Sequence, residues 1–245
     1  MNSDVVKQQL SSLRMSAAAR ELDQVVEGKK PQFDWVSELL EREIDARKER
    51  ALINRIRRAQ FPRVSSIEEF DFEFNPDIDK AKILELASLQ FLENKQIALF
   101  LGKPGTGKTH LALAIGIKAV EQGHNVFCSS VKKLAMQIIK AKAQNQLDRL
   151  FRKILSARLW ILDDWGVVSM KPEISEEVFD LLDRRVDSNA LILTSNRDVD
   201  EWPQVFHEPV IAAAAIDRIF DRAQIITFNG KSFRLNSKIN FNEID

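Results

Sequence analysis

The stretch Gly102-Lys103-Pro104-Gly105-Thr106-Gly107-Lys108-Thr109 constrains this chain more than any other, because it satisfies G-x-x-x-x-G-K-[ST] at every fixed position. It follows the apolar run Ile97-Ala98-Leu99-Phe100-Leu101 and precedes Leu111, Ala112 and Ile115 at helical spacing, so it joins a buried strand to a helix. Glycines let backbone N–H groups curl around a phosphate, and the following helix N-terminus adds partial positive charge. In that setting Lys108 neutralises β/γ phosphates and Thr109 ligates Mg²⁺. A plain glycine turn between strand and helix has no need of Lys-Thr.

The rest of the chain continues the strand–helix alternation. Helices are predicted at 81–93, 108–122, 131–155, 173–187 and 211–221, and strands at 96–101, 125–129, 158–163, 190–195 and 223–228. Such alternation predicts a parallel sheet covered by helices, a three-layer α/β domain over residues 81–232. Few residues follow the last strand, so residues 233–245 read as a tail and no C-terminal helical lid is expected. Ahead of the sheet, residues 1–60 read as a small all-helical N-terminal domain. One helix over 3–27 carries Val6, Leu10, Leu13, Ala17 and Leu22; a second, after Pro31, carries Trp35, Val36, Leu39, Leu40 and Ile44, with Glu38/Arg42 and Glu43/Arg47 as ion pairs. Residues 61–80, with Pro62, Pro76 and the run Glu68-Glu69-Phe70-Asp71-Phe72-Glu73-Phe74, read as an extended linker able to help enclose a nucleotide.

A phosphate loop requires a second magnesium anchor at the end of another strand, and Leu159-Trp160-Ile161-Leu162-Asp163-Asp164 supplies it in Asp163. Asp164 then stands where a base polarises the attacking water, with a turn cap as the competing role. The strand Leu191-Ile192-Leu193-Thr194 ends at Ser195-Asn196, where the Asn196 amide orients the same water. A GTPase would need Asn-Lys-x-Asp, and the nearest string, Asn94-Lys95-Gln96-Ile97, lacks the Asp and precedes the phosphate loop. The Leu-Ser-Gly-Gly string of transporter ATPases is absent; a small-molecule kinase leaves the acidic pair and the polar-tipped strand unexplained.

Composition narrows the setting. With 44% hydrophobic and 29% charged residues, wholesale disorder is excluded. The apolar run before the phosphate loop falls far short of the roughly 20 residues that cross a bilayer, so no membrane partner is expected. The first residues carry Lys7, Arg14 and Arg20 without an apolar stretch and cleavage site, and a cytoplasmic location is expected. A single cysteine, Cys128, and three scattered histidines leave no internal disulfide and no zinc cluster. Lys+Arg and Asp+Glu are equal at 36 each, yet the charge is segregated. Between Val131 and Ile154 lie Lys132, Lys133, Lys140, Lys142, Arg149, Arg152 and Lys153 against Asp148 alone, and Arg55, Arg57 and Arg58 close another basic run.

Taken with Leu39-Leu40-Glu41-Arg42-Glu43-Ile44, Arg57-Arg58-Ala59-Gln60-Phe61-Pro62, Glu69-Phe70-Asp71-Phe72, Leu84-Glu85-Leu86-Ala87-Ser88-Leu89, His110-Leu111-Ala112, Thr194-Ser195-Asn196 and Asp217-Arg218, the chain resembles the IstB-like family. These are ATP-binding accessory proteins of insertion-sequence transposition, in the helicase-loader and initiator clade of AAA+ ATPases. The resemblance spans nearly the whole chain. It implies an ATPase that uses ATP and Mg²⁺, assembles as a homo-oligomer on duplex DNA, picks target sites and stimulates a partner transposase. The nucleotide-binding set is Gly102, Pro104, Gly105, Thr106, Gly107, Lys108, Thr109 and His110, the last a packing residue typical of the family. The catalytic set is Lys108, Asp163, Asp164, Asn196 and Arg218.

Arg218 lies in the family's arginine-finger region, with Arg222 one turn on as fallback and a salt bridge to Asp217 or Asp221 as the competing role. Where the family usually has Glu, this chain has Asp164, and the shorter carboxylate implies slow hydrolysis. In related initiators and loaders the basic helix after the second strand faces the central channel. That makes Lys132, Lys133, Lys140 and Lys142 the DNA candidates, with Arg55, Arg57 and Arg58, against the alternative of plain solvated faces. No aromatic residue lies between Lys132 and Lys142, so backbone contact fits better than stacking on bases. Two rivals stay open, a replicative helicase loader and a scaffold that binds ATP without hydrolysing it.

Overall fold

The computed structural model describes residues 3–26, 34–167, 169–185, 188–206 and 208–239. The chain divides into two compact units, Met1–Asn54 and Arg55–Asp245.

The first unit holds α1 (Ser3–Ser12), α2 (Ser16–Val26) and most of α3 (Asp34–Ala59), whose last turn from Arg55 counts with the second. The single helix expected over 3–27 is broken at Arg14. Its φ is 58°, Met15 N–H donates to Leu10 O at 2.8 Å, and Arg14 N–H donates to Ser11 O at 2.9 Å. These two bonds close a Schellman motif around a left-handed residue, a place that glycine usually marks. The core of the unit is small: Ala18, Leu22 and Leu39 are buried, with Val6, Leu10 and Met15 packed on them. Leu13, Leu40 and Ile44, expected inside, are 67%, 43% and 49% exposed. Gly28, Pro31 and the Trp35 side chain lie outside the described residues.

Glu43 supplies what that core lacks. Its carboxylate accepts from Ala17 N–H at 2.7 Å and Ala18 N–H at 3.1 Å, satisfying donors that the first turn of α2 leaves open. It also accepts from Arg47 Nε at 2.8 Å. Burial alone would raise the pKa of Glu43, but the Arg47 bond and the Ala18 and Ala17 N–H groups outweigh it and hold the group below its ordinary value.

The second unit is a five-stranded sheet in the order β2-β3-β4-β1-β5. The strands are β1 (Ile97–Gly102), β2 (Val126–Ser130), β3 (Leu159–Trp165), β4 (Ala190–Ser195) and β5 (Ala223–Phe228), and every pairing is parallel. Continuous apolar runs suit strands buried on both faces. One face carries Leu99, Trp160, Leu162, Leu191 and Leu193 against α7 (Val131–Ala143), α9 (Pro172–Arg185) and α10 (Pro209–Phe220). The other meets α6 (Lys108–Glu121), where a methyl added to Gly116 would come within 2.4 Å of Ile161 Cδ1. The expected three-layer α/β architecture is therefore present. Two short helices, α4 (Lys80–Ala87) and α5 (Gln90–Glu93), precede β1, and a 3-10 turn occupies Val199–Val205.

The helix expected over 131–155 is two, α7 and α8 (Leu147–Leu155). Asn145 at φ 53° ends the first, with Gln146 N–H donating to Ala141 O at 2.8 Å and Asn145 N–H to Lys142 O at 3.1 Å. Residues 61–79 form a series of turns in which Ser65, Asn75 and Ile78 are buried. After β5, Phe233–Ile239 form α11, and residues 240–245 lie outside the described residues.

Candidate functional site

β1 delivers the phosphate loop at its C-terminal end. Gly102, at φ 142°, lies so near β5 that a Cβ would stand 2.2 Å from Phe228 O. Gly107, at φ 104°, starts α6 with the Phe70 ring 2.2 Å from where its Cβ would be. Both positions therefore require glycine. Thr106 Oγ1 donates to Lys103 O at 2.9 Å, while buried Lys108 donates through Nζ to Gly102 O at 2.6 Å and to Lys103 O at 2.7 Å. Burial pushes the Lys108 pKa down to about 8 against the pull of Asp163 and Asp164.

A β-bulge shapes the end of β3. Leu162 pairs with Leu193 and Trp165 with Ser195, so Asp163 and Asp164 together stand opposite Thr194. Asp163 Oδ1 accepts from Thr109 Oγ1 at 2.7 Å and from Thr194 Oγ1 at 2.6 Å. The Thr194 hydroxyl in turn accepts from Asp164 N–H at 3.1 Å. Asp164 has φ 59°, a left-handed conformation that aspartate adopts more readily than most residues. Burial, then the charge of Asp163, raises its pKa, opposed by Arg234 and Lys108.

These groups converge on one cavity of about 530 Å³. Pro104, Gly105, Thr106, Gly107, Lys108, Thr109 and His110 line it, and so do Asp163, Asp164 and Asn196. Gly102 stands behind the loop with its carbonyl on Lys108. His110 contributes by holding a wall: its Nε2 lies 2.7 Å from Ser66 O, and its ring is 5.7 Å from that of Phe70. A hydroxyl and a carboxylate oxygen, Thr109 and Asp163, form a hard donor pair that fits Mg²⁺, an ion that keeps waters and takes phosphate oxygens as its other ligands. Among the described residues no group of three or more His, Cys, Asp or Glu could hold a metal by itself.

Arg218 lies elsewhere, in the last turn of α10, with Nε on Asp183 Oδ1 at 2.7 Å and an outer nitrogen on Asp217 Oδ2 at 3.2 Å. Arg222 lies 4.0 Å from Asp221. Of the basic residues on α7, Lys132, Lys133 and Lys140 are exposed, whereas Lys142 donates to Glu177 at 2.7 Å. Arg57 and Arg58 are exposed and Arg55 is half-buried at the end of α3, near α7 through Gln60 and Gln137 at 3.5 Å.

Three contributors escaped the sequence reading. Thr194, β-branched inside a strand, looks like sheet filler and shows its role only through the bulge. Arg63 and Arg234 line the cavity from segments with no motif.

The chain matches the model of IstB-like ATP-binding proteins over residues 5–240. It is 39% identical over 199 residues to a protein of insertion sequence IS21 from Pseudomonas aeruginosa, covering 81% of this chain and 75% of that one. It is 35% identical over 193 residues to a protein of insertion sequence IS232 from Bacillus thuringiensis subsp. berliner, covering 79% and 77%. Both relatives are named, provisionally, for ATP binding. Among solved structures the DnaC helicase loader superposes with a TM-score of 0.53 at 18% identity, covering 61% of this chain and 87% of that one, a likeness of fold. No helix among the described residues is long and apolar enough to cross a membrane.

Proposed function

Because the chain belongs to the IstB-like ATP-binding protein family, we propose that it is a cytoplasmic AAA+ ATPase of insertion-sequence transposition, which assembles with ATP on duplex DNA, selects target sites and stimulates a partner transposase. The observation that carries the nucleotide part is the meeting of Lys108, Thr109, Asp163, Asp164 and Asn196 around one cavity. Lys108 leaves the Gly102 and Lys103 carbonyls for phosphate oxygens, and their negative charge stabilises the ammonium that burial disfavours. Thr109 and Asp163 hold Mg²⁺, which when bound offsets the charge of the β/γ phosphates. Thr194 fixes the Asp163 carboxylate and the Asp164 backbone. Asp164 takes a proton from the attacking water, and Asn196 orients that water. With one methylene less than the usual Glu, Asp164 works at longer reach, and slow turnover follows.

Arg218 acts in trans on a neighbouring subunit's nucleotide, exchanging Asp183 and Asp217 for phosphate on assembly. DNA follows Lys132, Lys133 and Lys140 on α7 with Arg57 and Arg58 beside them; Arg55 and Lys142 contribute less, being half-buried and engaged by Glu177 respectively. These are backbone contacts. The test is duplex binding against salt concentration with and without ATP: binding requires ATP, and Lys132→Ala/Lys133→Ala flattens the log–log slope by about 0.9 for each lost phosphate contact per subunit. ATP-independent binding with an unchanged slope would refute the assignment.

A further inference from the structure

Three segments distant in sequence meet beside the phosphate loop at one side chain, Asn75, which is 2% exposed. Its Nδ2 donates to Thr106 O in the loop at 3.4 Å and to Lys231 O, ahead of α11, at 3.2 Å. Its backbone is fixed as well, because Ile78 N–H donates to Asn75 O at 3.2 Å. The amide oxygen has no hydrogen-bond partner among the described residues, and Gly230 packs so near that a Cβ there would stand 2.0 Å from it. Turning the amide over would set that oxygen against two carbonyls, so the nitrogen is required where it is. A buried oxygen left without a donor costs stability. The fold keeps that cost at the point where the nitrogen reaches the phosphate loop.

The geometry of the loop gives the nitrogen a role. In a trans peptide the C=O of one residue and the N–H of the next point in opposite directions. Gly105 O accepts from Phe233 N–H at 3.0 Å and Thr106 O from Asn75, so the N–H groups of Thr106 and Gly107 face away from those donors. Both residues line the cavity. Gly102 O and Lys103 O, by contrast, accept from Lys108, a donor that leaves them when phosphate arrives. The bond from Asn75 stays, and keeps the peptide between Thr106 and Gly107 turned.

We propose that Asn75 is a positioning residue: by holding the Thr106 carbonyl from outside the loop, it aims the Gly107 N–H at the bound phosphates. This deepens the nucleotide reading above and rests on it.

Equilibrium dialysis of pyrophosphate, ADP and ATP, each with Mg²⁺, on wild type, Asn75→Ala, Asn75→Asp and Lys108→Ala tests it, well below the melting temperature of each protein. Asn75→Ala weakens all three ligands by a common factor of about fivefold, the scale of one lost hydrogen bond. Asn75→Asp, nearly the same size but an acceptor set against Thr106 O, weakens them by more. A lowered melting temperature with unchanged affinities overturns the proposal, since Asn75 would then only stabilise the fold. So does a loss confined to ATP, or one that spares pyrophosphate, because the N–H aimed at the phosphates would not be the contact at fault. If neither variant folds, the wild type decides by NMR: the Asn75 side-chain amide protons exchange slowly, and pyrophosphate moves the Thr106 and Gly107 amide signals. A freely exchanging side-chain amide, or unmoved signals, overturns it. In each of these outcomes Lys108→Ala still loses its ligands, and the nucleotide reading stands. A wild type that binds none of the three, or Lys108→Ala with full affinity, overturns that reading and this inference with it.

Discussion

Glu43 in the N-terminal unit and Asp163 in the sheet unit are both carboxylates held by several donors, yet the donors differ in kind. Glu43 accepts from two backbone N–H groups and a guanidinium, so its charge closes the start of a helix. Asp163 accepts from two hydroxyls, Thr109 and Thr194, which orient a carboxylate without neutralising it. The first carboxylate is used by the architecture; the second keeps its charge for a cation. Packing follows the same division. The N-terminal unit has few buried carbons and relies on Glu43, whereas the sheet unit has a broad apolar interior and places its acids at the ends of strands.

The contrast breaks most visibly at Asp163. Replacing it by alanine is predicted to cut phosphate release by about 10³-fold, some 4 kcal/mol of transition-state stabilisation, with the fold intact. Turnover within tenfold of wild type would place the magnesium ligand elsewhere. Glu43→Ala works in the opposite direction. It leaves Ala17 N–H and Ala18 N–H without their acceptor, leaves Arg47 with the Arg14 carbonyl, and destabilises the N-terminal helices by about 2–3 kcal/mol, while ATP affinity is unchanged. Residue-resolved hydrogen exchange across α2 reads the first effect and nucleotide titration the second.

Acid sharpens the comparison, because the two units carry shifts of opposite sign. The folded pKa of Glu43 lies below its ordinary value of 4.5, so its contribution is complete above that pH and is lost as pH falls through the lowered value. The pKa of Asp164 is raised, so on acidification the folded state takes up that proton first and the sheet unit gains relative stability. NMR during acid titration should show α2 losing structure before the sheet, and the reverse order would contradict both assignments. The smallest effect belongs to Arg14. Arg14→Gly relieves a left-handed residue and is predicted to stabilise the N-terminal unit by about 0.5–1 kcal/mol, read as a higher urea midpoint of its unfolding; a lowered midpoint would show the arginine side chain to be stabilising.

The sheet and the phosphate loop were legible in the sequence because continuous apolar runs and a fixed glycine pattern admit few alternatives. The helix breaks were not, since Arg14 and Asn145 occupy left-handed positions that a reader assigns to glycine. Apolar spacing overstated the N-terminal core: Leu13, Leu40 and Ile44 keep the helical period but remain exposed. Partners distant in sequence left no local trace, as with Arg218 and Asp183 or Lys142 and Glu177, each pair 35 residues apart. The bulge that gives Thr194 its role depends on the register between two strands, which neither strand reveals alone.

The most direct test of the nucleotide site is calorimetric titration of ATP with Mg²⁺ into wild type and Lys108→Ala at pH 7, repeated as the pH is raised. Wild type is predicted to bind, the variant to bind at least about a hundredfold more weakly, an effect near 3 kcal/mol for a lost buried cation. Wild-type affinity should also decline as pH passes about 8, where the free protein's Lys108 loses its proton and must regain it to hold phosphate. Equal affinity in the two proteins, or an affinity indifferent to pH through that range, would contradict the assignment of this cavity to ATP.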